Sequence, residues 1–266
     1  MKDNVEFRAL FTLPPISPSG STAISVPEMP AQQTVTGDLE VDAVLWLQRI
    51  VATGDQALID KAMEAVKRVT TPMDELGKRY SAHVARTTGS TMGGVLASFD
   101  FGDLEGKAKR AIRKAQDRHE ALSRFGTVEA LSAATPAEAI CIQLCKRVRK
   151  DRNGFIDEAA AQKRLLTRPE LVPATISDCL LALHYWDDIY RLRNATIDWY
   201  GDACQECTAH EWLCFGMLAK LPPQSGAEAI AVYDYLEAAD RMGMSETPAI
   251  IRNLIESAWC ACGGAA

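Results

Sequence analysis

Residues 103–125 read DLEGKAKRAIRKAQDRHEALSRF, and this stretch decides the fold. Leu104, Ala108, Ala111, Ile112, Ala115 and Leu122 recur at helical intervals, so an α-helix would gather them into one apolar stripe. Lys107, Arg110, Lys114 and Arg118 form an adjacent basic stripe, with Lys109, Arg113 and Arg124 on the remaining polar side. His119 lies on the apolar stripe and reads as a packed histidine.

The same helical grammar extends in both directions. Asp38 and Asp55 are placed to cap helices, the first ending near Gly54. Thr71-Pro72-Met73-Asp74 and Thr135-Pro136-Ala137-Glu138 each combine a cap, a proline at the first helical position and an acid at the third. Thr175 with Asp178, Ser225 with Glu228, and Thr247-Pro248 give further starts. Their irregular spacing argues against a repeat array. The expected fold is therefore mainly α, an irregular bundle of nine or ten helices over residues 38–266. A subdivision is expected near residues 88–102, where TTGSTMGG reads as a flexible connection.

The first 37 residues read differently. Val5, Phe7, Ala9, Phe11 and Leu13 alternate with Glu6, Arg8 and Thr12, a period of two that predicts a short strand. Prolines at 14, 15, 18, 27 and 30 then predict an extended arm. With no sheet elsewhere to join, such a strand is expected to seek a partner, either a second copy of the chain or another protein, the alternative being an arm folded back onto its own helices. Phe7, Phe11 and Leu13 would be its anchors. On this reading, deleting residues 1–37 leaves the helical body folded.

One stretch concentrates metal-competent side chains: CQECTAHEWLC, with Cys204, Cys207, His210 and Cys214. Thiolates and imidazole suit zinc, and HEWLC is a variant of the HExxH zincin pattern with Cys in place of the second His. The stretch also reads as one helix from about residue 203 to 221, capped by Asp202 and stopped by Pro222-Pro223. At a rise of about 1.5 Å per residue, Cys204 and Cys214 then lie about 15 Å apart along the axis. Zinc–sulfur bonds of about 2.3 Å cannot span that distance. A partial site with Cys260 and Cys262 is the surviving metal alternative. Packing is the favoured reading, because Cys207, His210, Cys214, Met217, Leu218 and Leu221 share a narrow sector of the helix. No bound metal and no cofactor are expected.

Composition sets outer limits. The chain has 266 residues, 47% of them hydrophobic and 24% charged, with mean hydropathy −0.09. No apolar run approaches the ~18 residues of a membrane span. The N-terminal residues do not read as a secretory signal, so eight cysteines are expected as free thiols in a reducing cytoplasm. Net charge is −6, yet residues 103–152 hold 12 Lys and Arg against 7 Asp and Glu. Lys146, Arg147, Arg149 and Lys150 form the second basic cluster in that region. Such faces can meet phosphates or an acidic protein surface, although no stacking aromatics are interleaved. His184, Asp187 and Asp188 share one stretch with Arg191 and read as a surface pair with an intrahelical partner.

No catalytic motif emerges. The leading expectation is a helical protein-interaction or regulatory protein, an inhibitory accessory factor of a bacterium or mobile genetic element acting on a larger partner. The alternatives are nucleic-acid binding through residues 107–152, and a zinc-dependent enzyme or zinc-stabilised adaptor built on Cys204–Cys214.

Overall fold

The computed structural model describes residues 3–17, 28–198 and 200–257. In chain order the α-helices are α1 (Val5–Leu10), α2 (Leu39–Val51), α3 (Gln56–Val66), α4 (Met73–Thr88), α5 (Thr91–Ser98) and α6 (Leu104–Phe125). They continue with α7 (Val128–Ser132), α8 (Pro136–Cys145), α9 (Glu158–Leu165), α10 (Ile176–Thr196), α11 (Gln205–Met217), α12 (Gly226–Ala238) and α13 (Thr247–Glu256). Among the described residues there is no strand, only one isolated antiparallel bridge between Lys150 and Ile156. The mainly α expectation stands. Among the described residues, twelve α-helices fall within 38–266 where nine or ten were expected, because short elements such as α5 and α7 show no period.

The expected strand at residues 5–13 is not formed; Val5–Leu10 is a helix instead. The Asn4 side chain supplies the reason by accepting the Phe7 N–H at 3.1 Å, an N-cap that overrides the alternating pattern. Phe7 and Phe11, four residues apart, then fall on one face and bury together.

The chain divides into two compact units, one holding Met1–Ser17 with Arg124–Ala266 and the other Pro18–Ser123. Residues 88–102 lie inside the second of these.

In the first unit α10 is the hub, buried on most of its circumference through Ile176, Cys179, Leu183, Trp186, Ile189 and Leu192. Around it pack Phe7 and Phe11 of α1, Cys141 and Cys145 of α8, Cys214 and Phe215 of α11, and Val232 and Leu236 of α12. Polar struts fix the N-terminal segment to the start of α10. Fully buried Asp178 accepts from the Asn4 and Ala174 N–H groups, both at 3.0 Å, and from Arg8 Nε at 2.7 Å. The Asn4 amide donates to the carbonyls of Pro169 and Val172.

A second strut joins α10 to α7 and α8. Buried Arg193 donates to both Glu138 oxygens, to the carbonyls of Leu131 and Ala133, and to the Tyr200 hydroxyl. Glu138 also closes the capping box with Thr135, so one carboxylate both starts α8 and holds α10. Thr175 and Ser225 cap as expected. Thr71 does not. Pro72 occupies that cap position without a side-chain bond, and the Thr71 hydroxyl donates to Glu40.

In the second unit α2 and α3 close on the start of α6 through Leu47, Ile50, Val51, Leu58, Ile59 and Leu104. Val41, Val44, Leu76 and Phe101 form an adjoining cluster beside Tyr80. His119, expected to be packed, is exposed, because the middle of α6 buries few of its side chains. The Gly-rich stretch is no flexible connection. Gly89, at φ +69°, ends α4, and Ser90 caps α5 by accepting the Gly93 N–H. At Gly94 a Cβ would stand 2.5 Å from the Ser81 carbonyl oxygen, so the close crossing of α4 and α5 requires glycine there.

Candidate functional site

The CQECTAHEWLC stretch divides into two chemistries. Its helix α11 begins two residues later than Asp202 implied, with Cys204 as N-cap and its sulfur 3.4 Å from the Cys207 N–H. Cys204 and Cys207 are joined as a disulfide, Cα atoms 5.4 Å apart. This pair therefore departs from the free thiols expected in a reducing cytoplasm. Cys204 is half-buried and Cys207 buried.

His210 and Cys214 lie deeper along the same helix. His210 is fully enclosed, with Nε2 2.9 Å from the Leu171 carbonyl and Nδ1 accepting from Trp186 Nε1 at 3.1 Å. Its Nε2 therefore carries the proton and donates to Leu171. Phe11 stacks on the ring at 4.7 Å with planes 12° apart. Burial pushes the imidazole pKa down to about 4, opposed only by the Leu171 bond. The ring is neutral and both nitrogens are engaged. Burial likewise pushes the Cys141 thiol up to about 12, and the Cys179 and Cys214 thiols well up. Among the described residues no three His, Cys, Asp or Glu side chains come together to hold a metal. Cys260 and Cys262 lie outside the described residues.

Beside the disulfide opens a cleft of about 240 Å³ whose walls include Ala203, Cys207, Thr208, Tyr190 and Tyr200, with Glu138 and Arg193. Burial would raise the Glu138 pKa, but hydrogen bonds from Arg193 and the Thr135 N–H prevail and hold it below the ordinary carboxylate value. Asp187 and Glu211 also line it, and both pair with Arg241, Asp187 at 3.9 Å. Burial raises the Asp187 pKa despite that cation. The guanidinium of Arg241 sits over Trp212, Phe215 and Tyr235 at 5.6, 5.1 and 5.5 Å from their ring centres. Asp188 pairs with Arg191 at 2.8 Å as its spacing implied, whereas Asp187 turns to Arg241.

The other sequence-derived candidates separate. Phe7 and Phe11 are in the core, Leu13 is half-buried against it, and none is displayed as a docking anchor. Lys107, Arg110, Lys114 and Arg118 lie in the second unit; Lys146, Arg147, Arg149 and Lys150 lie in the first, in the turn after α8. Lys107 is half-buried, and its pKa is lowered by that burial. Arg110 pairs with Asp100 at 2.8 Å and Asp103 at 3.4 Å, so part of this basic stripe is neutralised locally. Lys114, Arg118 and the four residues after α8 are exposed.

A surface not anticipated from the sequence is on α5. Met92 (67%), Val95 (54%), Leu96 (67%) and Phe99 (80%) are exposed at spacings of three, four and seven, forming one apolar ridge. The signal was in plain view in TMGGVLASF, but the glycines before it pointed to a loop. No charged residue occurs from 87 to 99. Alongside, α4, α5 and residues 100–102 enclose a groove of about 590 Å³ lined in part by Met73, Gly77, Ser81 and Ala85.

Fold and site together define an all-helical chain with a helix-capping disulfide in one unit and an uncovered apolar helix in the other. Compared with protein-family models, curated proteins and solved structures, the chain matches none. No described helix is long and apolar enough to cross a membrane.

Proposed function

We propose that this chain is a protein-interaction factor, regulatory or inhibitory in action, that docks an amphipathic helix of a larger partner on α5. The apolar ridge of Met92, Val95, Leu96 and Phe99 carries this reading. Four large side chains at helical spacing match the anchors by which one helix packs on another. Because residues 87–99 carry no charge, the contact rests on apolar burial and is expected to resist salt. The N-terminal anchors do not serve this role, since Phe7 and Phe11 are already packed inside their own unit.

The test places a photo-cross-linker at Leu96 and, as control, at exposed Glu64 on α3. The Leu96 position is expected to trap one protein through a helical segment, in a complex that survives high salt and is lost in Leu96→Asp/Phe99→Asp. Equal trapping from both positions, or undiminished binding by the charged variant, would sink the reading. A homodimer abolished by the same variant would replace the larger partner with a second copy.

A further inference from the structure

We infer that Cys204 and Cys207 form a redox-active disulfide that exchanges with an external dithiol. Three features converge on the start of α11. The two cysteines are separated by two residues and bonded to one another, closing a loop too short to restrain much of the unfolded chain. Their exposure is unequal, with Cys204 half-buried and Cys207 buried. The cleft of about 240 Å³ reaches the Cys207 side of the bond, with Ala203, Cys207 and Thr208 on its wall, while Cys204 is the half-buried partner.

Unequal exposure sets the order of steps. A thiolate of the incoming dithiol attacks the Cys204 sulfur, the sulfur–sulfur bond breaks, and Cys207 leaves as a thiolate that takes up a proton. The second thiol of the reductant, losing its own proton, then attacks the reductant's sulfur in the mixed disulfide and expels Cys204. Two electrons pass to the cysteine pair, Cys207 takes up the proton that the dithiol's second thiol loses, Cys204 leaves as a thiolate, and the dithiol becomes a disulfide. The departing Cys204 sulfur keeps the Cys207 N–H at 3.4 Å and the positive end of a 13-residue helix, both of which favour a thiolate. Among the described residues the free cysteines cannot substitute: Cys141, Cys145, Cys179 and Cys214 are all buried.

The experiment uses the full chain, dithiothreitol as the dithiol, reduced glutathione as a monothiol, and mass spectrometry after alkylation. Native reduction is expected to free two thiols, at Cys204 and Cys207, with the helical signal retained and the bond re-forming under oxidised glutathione. Cys204 should be alkylated about tenfold or more faster than the buried thiols. Given oxidised glutathione, Cys207→Ser should hold glutathione as a mixed disulfide on Cys204, releasing reduced glutathione, and Cys204→Ser should trap far less. If reduction requires denaturant, the bond is structural and the inference fails. It fails equally if all eight thiols remain free under oxidised glutathione, or if both single variants trap glutathione alike. Should a variant not fold, the wild-type titration decides alone.

Discussion

Acidifying the protein from pH 6.5 to pH 5 should destabilise its first unit through one side chain, His210. In the folded chain burial holds this imidazole at about 4, against an ordinary 6.5. The unfolded chain therefore takes up a proton below pH 6.5 that the folded chain refuses until about pH 4. Stability is full above pH 6.5 and is lost as pH falls toward 4. At about 1.4 kcal/mol per pH unit the full loss is about 3 kcal/mol. Some 1.5–2 kcal/mol of it, by the same linkage, falls between pH 6.5 and 5. That window lies above the range in which Glu138, held below the ordinary 4.5, contributes its own acid sensitivity. Replacing Trp46 by Phe leaves tryptophans only at 186, 199, 212 and 259, all in the first unit, so their fluorescence reports its urea unfolding. His210→Gln is the control, because an amide can still meet Trp186 and Leu171 but does not titrate. The variant should be weaker at pH 7 and flatter with pH. Parallel curves for the two proteins across the window would refute the reasoning.

Two further outcomes follow from packing. Phe11→Ala should cost about 3–5 kcal/mol, the range for deleting a buried aromatic, and deletion of residues 1–17 should unfold the first unit rather than spare it; calorimetry showing an unchanged transition would return the segment to the surface. Arg193→Met should cost about 3–5 kcal/mol at pH 7 by stranding the Glu138 carboxylate, whereas the paired Arg193→Met/Glu138→Gln should recover part of it. Because pairing lowers the Glu138 pKa, the wild-type advantage over Arg193→Met should shrink as pH falls below about 4.5, checked by urea titration.

How far the sequence foretold this structure depends on the range of the interactions. The caps at Asp38, Asp55, Thr135, Thr175 and Ser225 were legible, because each is settled by a side chain and a backbone N–H within three residues. Thr71 looked equally suited, yet Glu40, 31 residues earlier, competes for its hydroxyl. The alternation at residues 5–13 was real but too short to decide between periods. Asn4 and the distant carboxylate of Asp178 settled it as a helix. The Arg193–Glu138 and Arg241–Glu211 pairs join residues 30 or more positions apart, and no local pattern announces them.

The segment expected to reach outward and the Cys/His cluster expected to pack meet in one feature of the fold. Phe11 stacks on His210, and Phe7 lies 6.1 Å from the same ring. A histidine whose two nitrogens are bound to Leu171 and Trp186 can be covered by an apolar ring without leaving a polar atom unsatisfied. The aromatic pair in turn needs such a flat, neutral surface, since a protonated or metal-bound imidazole would demand water or charge in its place. Burial of Phe7 and Phe11 and retirement of His210 from surface chemistry therefore require each other. The CQECTAHEWLC stretch is thereby divided at its first turn: the disulfide at the helix start faces the cleft, while His210 and Cys214 belong to the core.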